Sequence, residues 1–282
     1  MSVSMIKIEE TVRAALMEDL GHGYDLTTQY VIDGAKDCTA AITAREDGVL
    51  AGIAPALTAF SLTDQDIEFQ IEKVDGEVFQ ANEVIARLRG PAQAILTAER
   101  VALNFLCHLS GVASLTHQFV SHVDHTDSKI LCTRKTLPHL RALQKDAVRS
   151  GGGCNHRLGL DNGILIKDNH IALSGGIQEA LEQAKAKAGP MQKIEIEVST
   201  PEQAQQALSS GLADIIMLDN MEVAQIRKCM DIIDDSVCVE ASGGINLDNL
   251  VQIAEAGVHY ISIGILTHSA RSVDIGLDIE EQ

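Results

Sequence analysis

From about residue 126 onward the chain alternates short apolar runs with helical stretches, and this alternation restricts its fold more than any other feature. The runs are KILCTRKT, GILIKDNH, KIEIEVST, DIIMLDN, VCVEASGG and YISIGIL. Between most of them lie LPHLRALQKDAVRS, GIQEALEQAKAKAG, TPEQAQQALSSG, MEVAQIRKCMDII and NLDNLVQIAEAG, whose apolar residues recur at helical spacing. Strands separated by helices of this length build a parallel sheet. Several runs are apolar on both faces, as required when helices cover one side and a barrel interior the other. The expected fold class is therefore α/β, with a barrel in the second part of the chain.

The ends of these runs form a second pattern. Nearly every run closes on polar residues or glycine: Arg134 and Lys135, Lys167, Glu197, Asp219, Glu240 followed by Ser242-Gly243-Gly244, and Gly264. In a (β/α) barrel the carboxyl ends of all strands open on one face, and the chemistry sits there. One charge at a strand end means only that the chain has reached water. A succession of them, cations first and carboxylates later, predicts a shared site.

The charge balance sharpens this expectation. The 282 residues carry 22 Lys and Arg against 40 Asp and Glu, a formal charge of −18. Such acidity argues against nonspecific nucleic-acid binding, which needs a basic face, and the excess acid serves solubility. Yet Arg134, Lys135, His156, Arg157 and Lys167 all fall on the first two barrel strands or the loop between them. Arginine grips carboxylate or phosphate through two parallel hydrogen bonds, so the cluster suits a ligand with more than one negative charge. The alternative is that Arg134 and Lys135 pair with acidic side chains. Glu197 and Asp219 likewise admit two readings: they hold a hard cation such as Mg²⁺ against a phosphate-rich ligand, or they neutralise Lys or Arg across the barrel mouth. EASGGI, residues 240–245, turns from a strand into a helix through two glycines, which lets backbone amides approach phosphate closely. With SIG at 262–264 it makes the kind of phosphate site that follows the last strands of many barrels. GGGCNHR, residues 151–157, reads as a flexible leader that lets His156 and Arg157 close over ligand.

The first part of the chain is mixed. A helix is expected from about Ile6 to Leu20, ending at Gly21. Strands follow in TAAITAREDGVLAGI and IEFQIEKVDGEVF, with turns at Asp47-Gly48 and Asp75-Gly76. VIARLRG is broken at Gly90-Pro91, and a long helix starts with Thr97 as its cap. No run of about 20 apolar residues predicts a membrane span, and the N-terminus reads as a helix, not a secretion signal. Six cysteines without CxxC spacing, and no zinc pattern among the ten histidines, suit a reduced, cytoplasmic protein. Cys154 beside His156 has the residue types of a nucleophile and base, but a small buried thiol is the simpler reading.

AERVALNFLCHLSGVAS, TRKTLPHLRALQKDAVRSGGGCNHRLGL, LIKDNHI, IEIEVST, MLDN, EASGGI and YISIGILTHSARSVDIGLD resemble the quinolinate phosphoribosyltransferase family. The likeness extends to MEDLGHGYDLTT and REDGVLAG and so covers nearly the whole chain. It implies an N-terminal α/β sandwich domain over residues 1–111, completed by the tail 266–282, and an α/β barrel of TIM-like type over 112–265. It implies a homodimer or a multiple of dimers with the site shared between subunits. The implied reaction joins quinolinate to phosphoribosyl pyrophosphate, giving nicotinate mononucleotide, pyrophosphate and CO₂, with Mg²⁺. By position, Thr133, Arg134, His156, Arg157 and Lys167 would hold quinolinate, and Arg100 would reach in from the neighbouring subunit. Lys135, Lys167, Glu197, Asp219, Ser242, Gly243, Gly244, Ile263 and Gly264 would hold phosphoribosyl pyrophosphate, with Glu197 and Asp219 also serving Mg²⁺, directly or through water. Neither nucleic acid nor membrane is an expected partner. The chain departs from the family pattern at His139, where Gly is usual, at Asp146, where Tyr is usual, and at Asn162, where Asp is usual. These departures bear on loop geometry. The rival readings are a similar protein associated with molybdenum transport and an inactive paralogue acting as a binding partner; intact NHR and LIKDNH speak against the first and the complete charged set against the second.

Overall fold

The computed structural model, which describes residues 3–233 and 236–280, forms all six strands of the alternating region. Contacts divide the chain into two compact units: residues 1–117, 136–152 and 265–282 form one, and residues 118–135 and 153–264 the other.

The first unit starts with helix α1 (Met5–Leu20), whose Ile8, Val12 and Leu16 recur every four residues and are buried. Gly21 ends it at φ 55°. A short helix, α2 (Leu26–Val31), follows, capped by Asp25, whose carboxylate accepts from the Thr28 N–H at 3.0 Å. Then come β1 (Asp37–Ala44), β2 (Gly48–Val49), α3 (Ile53–Thr63), β3 (Glu68–Ile71), β4 (Val78–Phe79), β5 (Val84–Pro91) and the long helix α4 (Ala92–His122). After the intervening barrel, α11 (Ile265–His268) and β12 (Ile275–Glu280) return to this unit. Its main sheet is antiparallel in the order β12-β1-β5-β3, with β12 in register with β1 from Ala44↔Ile275 to Thr39↔Glu280. Helices α1 and α3 pack together beside it, giving an α/β sandwich.

Two boundaries differ from the sequence reading. Strand β5 runs through Gly90 to Pro91, and α4 starts at Ala92, so Thr97 lies inside the helix and does not cap it. Tertiary partners replace the local cap: the Ala92 N–H donates to the Lys36 carbonyl and the Gln93 side chain to the Ile32 carbonyl. Helix α3 has no counterpart in the reading, because IAPALTAFSLT is so apolar that periodicity hides its face; Ala56, Ala59 and Phe60 are fully buried.

The second unit contains β6 (Lys129–Leu131), β7 (Ile164–Ile166), α6 (Asp168–Ser174), α7 (Ile177–Lys187), β8 (Ile194–Val198), α8 (Pro201–Ser210), β9 (Ile215–Asp219), α9 (Val223–Ile233), β10 (Cys238–Ser242), α10 (Leu247–Ala254) and β11 (Tyr260–Ser262). Helix α5 (Arg141–Ser150), between β6 and β7 in the chain, belongs to the first unit. All pairings in this sheet are parallel, in the order β6-β11-β10-β9-β8-β7. The first strand thus lies beside the last, as closure into a barrel requires. On the other edge of β6, Cys154 pairs with Leu131: its N–H donates to the Ile130 carbonyl and its carbonyl accepts from Cys132. One reading in this region needs correction. LIKDNH is strand only to Ile166; Lys167 begins the turn into α6, and its N–H donates to His170 Nδ1 at 2.9 Å.

Candidate active site

The carboxyl ends of all six parallel strands border one cavity of about 490 Å³, a size suited to small-molecule ligands. Thr133, Arg134 and Lys135 come from the segment after β6, Lys167 from the end of β7, Glu197 from β8, Asp219 from β9, Ser242 to Gly244 from β10 and Ser262 from β11. His156 and Arg157 complete it. The fold therefore gathers most of the residues singled out from the sequence. Three stand apart. Ile263 and Gly264 follow Ser262 but do not border the cavity; the Ile263 side chain is buried and its N–H donates to the Leu131 carbonyl. Arg100 lies on α4 in the first unit, in an open cleft with Arg45, Asn104 and Arg271.

Two cations on the rim are poised for an anion. Arg134 Nε and Arg157 Nε are both buried, and neither has a hydrogen-bond acceptor among the described residues. Arg157 also donates from Nη1 to the Gly163 carbonyl at 3.1 Å. Burial lowers the pKa of its guanidinium, and the nearby charge of Arg134 lowers it further, while Glu195 opposes the shift. Two guanidiniums that repel each other while their Nε–H groups lack acceptors are stabilised by an anion bound between them.

The other cation and the carboxylates are partly paired. Lys167 forms an ion pair with Glu197, whose side chain is largely buried. This is the charge-neutralising alternative seen from the sequence, and it applies to Lys167. Asp219 accepts from the Asn220 side chain at 2.6 Å. Glu197 and Asp219 are the hard oxygen donors best placed at this mouth to hold a cation such as Mg²⁺. Two carboxylates, one already shared with Lys167, suit an ion held mainly by ligand phosphates and water.

His156 lines the cavity and also turns towards two buried carboxylates. The Arg157 N–H donates to its Nδ1 at 2.7 Å, which leaves the ring hydrogen on Nε2. Nε2 then donates to Glu195 Oε2 at 2.9 Å and lies 3.7 Å from Glu240 Oε2. In this arrangement the Nε2–H faces the barrel interior and the two carboxylates there. Glu195 and Glu240 are 4% and 2% exposed, and Oε1 of each lacks a hydrogen-bond partner among the described residues. Burial, reinforced by the Glu195 charge, raises Glu240 to about 7, against a smaller lowering by His156. The ligand atoms of this trio also lie within 4.8 Å of one another, but the nitrogen that a metal would need is engaged by Glu195. Glu195 is not among the strand-end residues that predict the site, and Glu240 is among them without an assigned role. Strand periodicity carried the signal: Glu195 is two residues before Glu197 and Glu240 two before Ser242, so each shares the inward face of a residue already chosen.

The family described as quinolinate phosphoribosyl transferase, N-terminal domain, matches residues 25–110, and its C-terminal domain matches residues 112–278. The chain is 44% identical to a probable carboxylating nicotinate-nucleotide pyrophosphorylase of Bacillus subtilis over 274 residues, covering 97% of this chain and 94% of the relative. It is 43% identical to the carboxylating nicotinate-nucleotide pyrophosphorylase of Mycobacterium leprae, covering 96% of each. Among solved structures, the nicotinate-nucleotide pyrophosphorylase of Ehrlichia chaffeensis superposes with a TM-score of 0.93 at 40% identity, over 99% of this chain and 100% of that one. That of Francisella tularensis also gives 0.93, at 37% identity over 99% and 98%. The cation-lined mouth at the strand ends and full-length similarity in sequence and fold agree: the chain belongs to the quinolinate phosphoribosyltransferase family.

Proposed function

We propose that the protein catalyses the reaction of quinolinate with phosphoribosyl pyrophosphate to give nicotinate mononucleotide, pyrophosphate and CO₂, as a pentosyltransferase of NAD biosynthesis. The observation that carries this reading is the pair of buried guanidinium Nε–H groups, Arg134 and Arg157, left without acceptors at the cavity wall of a chain with net charge −18. A planar dianion with adjacent carboxylates supplies the missing acceptors. Thr133, His156 and Lys167 border the same cavity and complete the quinolinate side.

Lys135 and the Ser242-Gly243-Gly244 turn take the phosphates, the glycines by allowing close approach of backbone amides. Ile263 and Gly264, just after the last strand, help set the backbone that holds Ser262 at the cavity, the Ile263 N–H through its bond to the Leu131 carbonyl. Loss of pyrophosphate builds positive charge on the ribose carbon, and Glu197 and Asp219 stabilise it electrostatically. The same two carboxylates would hold Mg²⁺, which when bound would supply positive charge to offset that of the departing pyrophosphate. Once its ring nitrogen is ribosylated, the positive charge there stabilises the electron pair left on the adjacent carbon as its carboxylate leaves as CO₂. The chain's own contribution is to hold two anions in line and exclude water; no covalent nucleophile is needed.

The working unit in this reading is a homodimer or a multiple of it, with Arg100 entering the partner's site. The compartment in this reading is the cytoplasm, and the six free thiols suit a reducing environment. The test is an assay of purified protein with quinolinate, phosphoribosyl pyrophosphate and Mg²⁺, with nicotinate in parallel. Nicotinate mononucleotide from quinolinate alone is the expected product. Correctly folded protein that makes none, or that uses nicotinate instead, defeats the reading.

A further inference from the structure

The cavity at the strand ends has a counterpart beneath it. A second cavity of about 340 Å³ is lined by residues at the amino-terminal ends of the strands, among them Lys129, Ile164, Lys193, Ile215 and Tyr260. His156, Arg157 and Glu240 line both cavities. Glu240 thus stands in the layer that separates the catalytic mouth from the barrel floor, and its Oε1 is buried without a hydrogen-bond partner among the described residues.

Decarboxylation creates a need that the groups on the rim do not meet. Loss of CO₂ breaks the bond from ring carbon C2 to its carboxylate and leaves the electron pair on C2, beside the ribosylated nitrogen. That carbon must take up a proton while substrate fills the mouth. The arginines hold their protons too tightly, Lys167 is paired with Glu197, and the His156 Nε2–H is engaged by Glu195. We propose, on the basis of the quinolinate reading above, that Glu240 is the acid that protonates C2, and that it is resupplied from water through the lower cavity. The Glu240 carboxyl hydrogen moves to C2 and forms the new C–H bond. Glu240 is left as a carboxylate, which then takes a proton from below, so atoms and charge balance without any further reactant.

The surroundings suit this role. Facing Glu240 are Glu195 from β8, His156 and Arg157 from the segment beside β6, Lys167 after β7, and Tyr260 and Ser262 from β11, with Cys238 on its own strand and Met217 opposite it on β9. Burial and the Glu195 carboxylate disfavour ionisation, so Glu240 titrates at about 7, where a general acid is both protonated and able to give the proton up. A dicarboxylate in the mouth adds negative charge and holds the proton more firmly still.

The test compares the full-length protein with its E240Q variant. Turnover is measured with quinolinate, phosphoribosyl pyrophosphate and Mg²⁺ across pH 6 to 9. Binding is measured separately with phthalate, which presents two adjacent carboxylates but no ring nitrogen to ribosylate. The expected result is a loss of kcat of about 100-fold or more in E240Q, with phthalate affinity changed by less than about threefold. The wild-type kcat falls on the alkaline side, at a pH above the ligand-free value of about 7, since the acid must be protonated and bound dicarboxylate raises it; this fall is absent from E240Q. Near-wild-type kcat in E240Q overturns the proposal, as does a reduced kcat that keeps the same alkaline fall, or a parallel loss of phthalate binding. If E240Q does not fold, E240D carries the test: it should keep the alkaline fall with reduced kcat, and unchanged kcat again overturns the proposal. A wild-type protein that binds phthalate but makes no nicotinate mononucleotide points to failure of the functional reading itself.

Discussion

Two neighbouring glycines in the phosphate turn offer a controlled comparison. Gly243 and Gly244 both have left-handed backbone, at φ 86° and 63°. A Cβ on Gly244 would meet nothing within 4 Å, whereas one on Gly243 would lie 2.3 Å from Asn220 Oδ1 and 2.9 Å from Asn220 N. The Asn220 side chain can turn away. Its backbone is less free, because its N–H donates to the Ser242 carbonyl at 2.8 Å and ties the β9 and β10 loops together. Gly244→Ala should therefore cost only the conformational penalty, about 1–2 kcal/mol. Gly243→Ala should add an overpacking cost of about 1–3 kcal/mol. For a chain of this size each kcal/mol moves Tm by about 2–4 °C, so Gly243→Ala should melt several degrees below Gly244→Ala. Calorimetry on the two variants and the parent measures this directly. The Gly243→Ala variant should also bind phosphoribosyl pyrophosphate more weakly while retaining phthalate. Equal melting temperatures for the two variants would refute the claim that close approach to Asn220, beyond φ, requires glycine at 243.

Three further outcomes follow from the geometry. Arg134→Ala should lower turnover by about 2–5 kcal/mol of transition-state stabilisation while leaving the melting curve near the parent's, because one partner of a buried charge contact is lost; steady-state kinetics beside calorimetry checks both parts. Mixing Arg100→Ala with Arg157→Ala protein should restore some activity through hybrid dimers if Arg100 acts in the neighbour's site; no recovery after demonstrated subunit exchange counts against sharing. His108, whose pKa is lowered by burial, binds its proton less readily in the folded chain than in the unfolded one. Stability should thus be fully present above the unfolded value near 6.5 and decline as pH falls through it towards the lower folded value. Denaturation midpoints measured from pH 7.5 to 5.5 test this, and replacing His108 by Gln should flatten that part of the profile.

Much of the barrel was legible because its signals are local. Each of the six runs carries its own apolar residues, and each strand end announces itself by a charge or a glycine where the backbone meets the mouth. Signals that depend on distant partners were not legible. The start of α4 at Ala92 is supported by Lys36 and Ile32, and no nearby residue marks it. Likewise, nothing in NHR reveals that His156 turns inward, because Glu195 and Glu240, which draw it there, are 39 and 84 positions away in the chain. The departure at His139 became intelligible only with backbone angles. It sits at φ 63°, left-handed backbone that favours the glycine usual in the family, and histidine tolerates it better than a β-branched residue would.

The pairing of β12 with β1 has a consequence for how the chain is made. Synthesis proceeds from the amino terminus, so β1 emerges more than two hundred residues before its partner. Until Ile275–Glu280 leaves the ribosome, one whole side of β1 exposes unsatisfied backbone donors and acceptors that invite other strands. The antiparallel sheet therefore keeps an open edge until the whole barrel has been synthesised, and a ribosome stalled in α11 would leave a chain with a sticky edge although most of its core residues were already present.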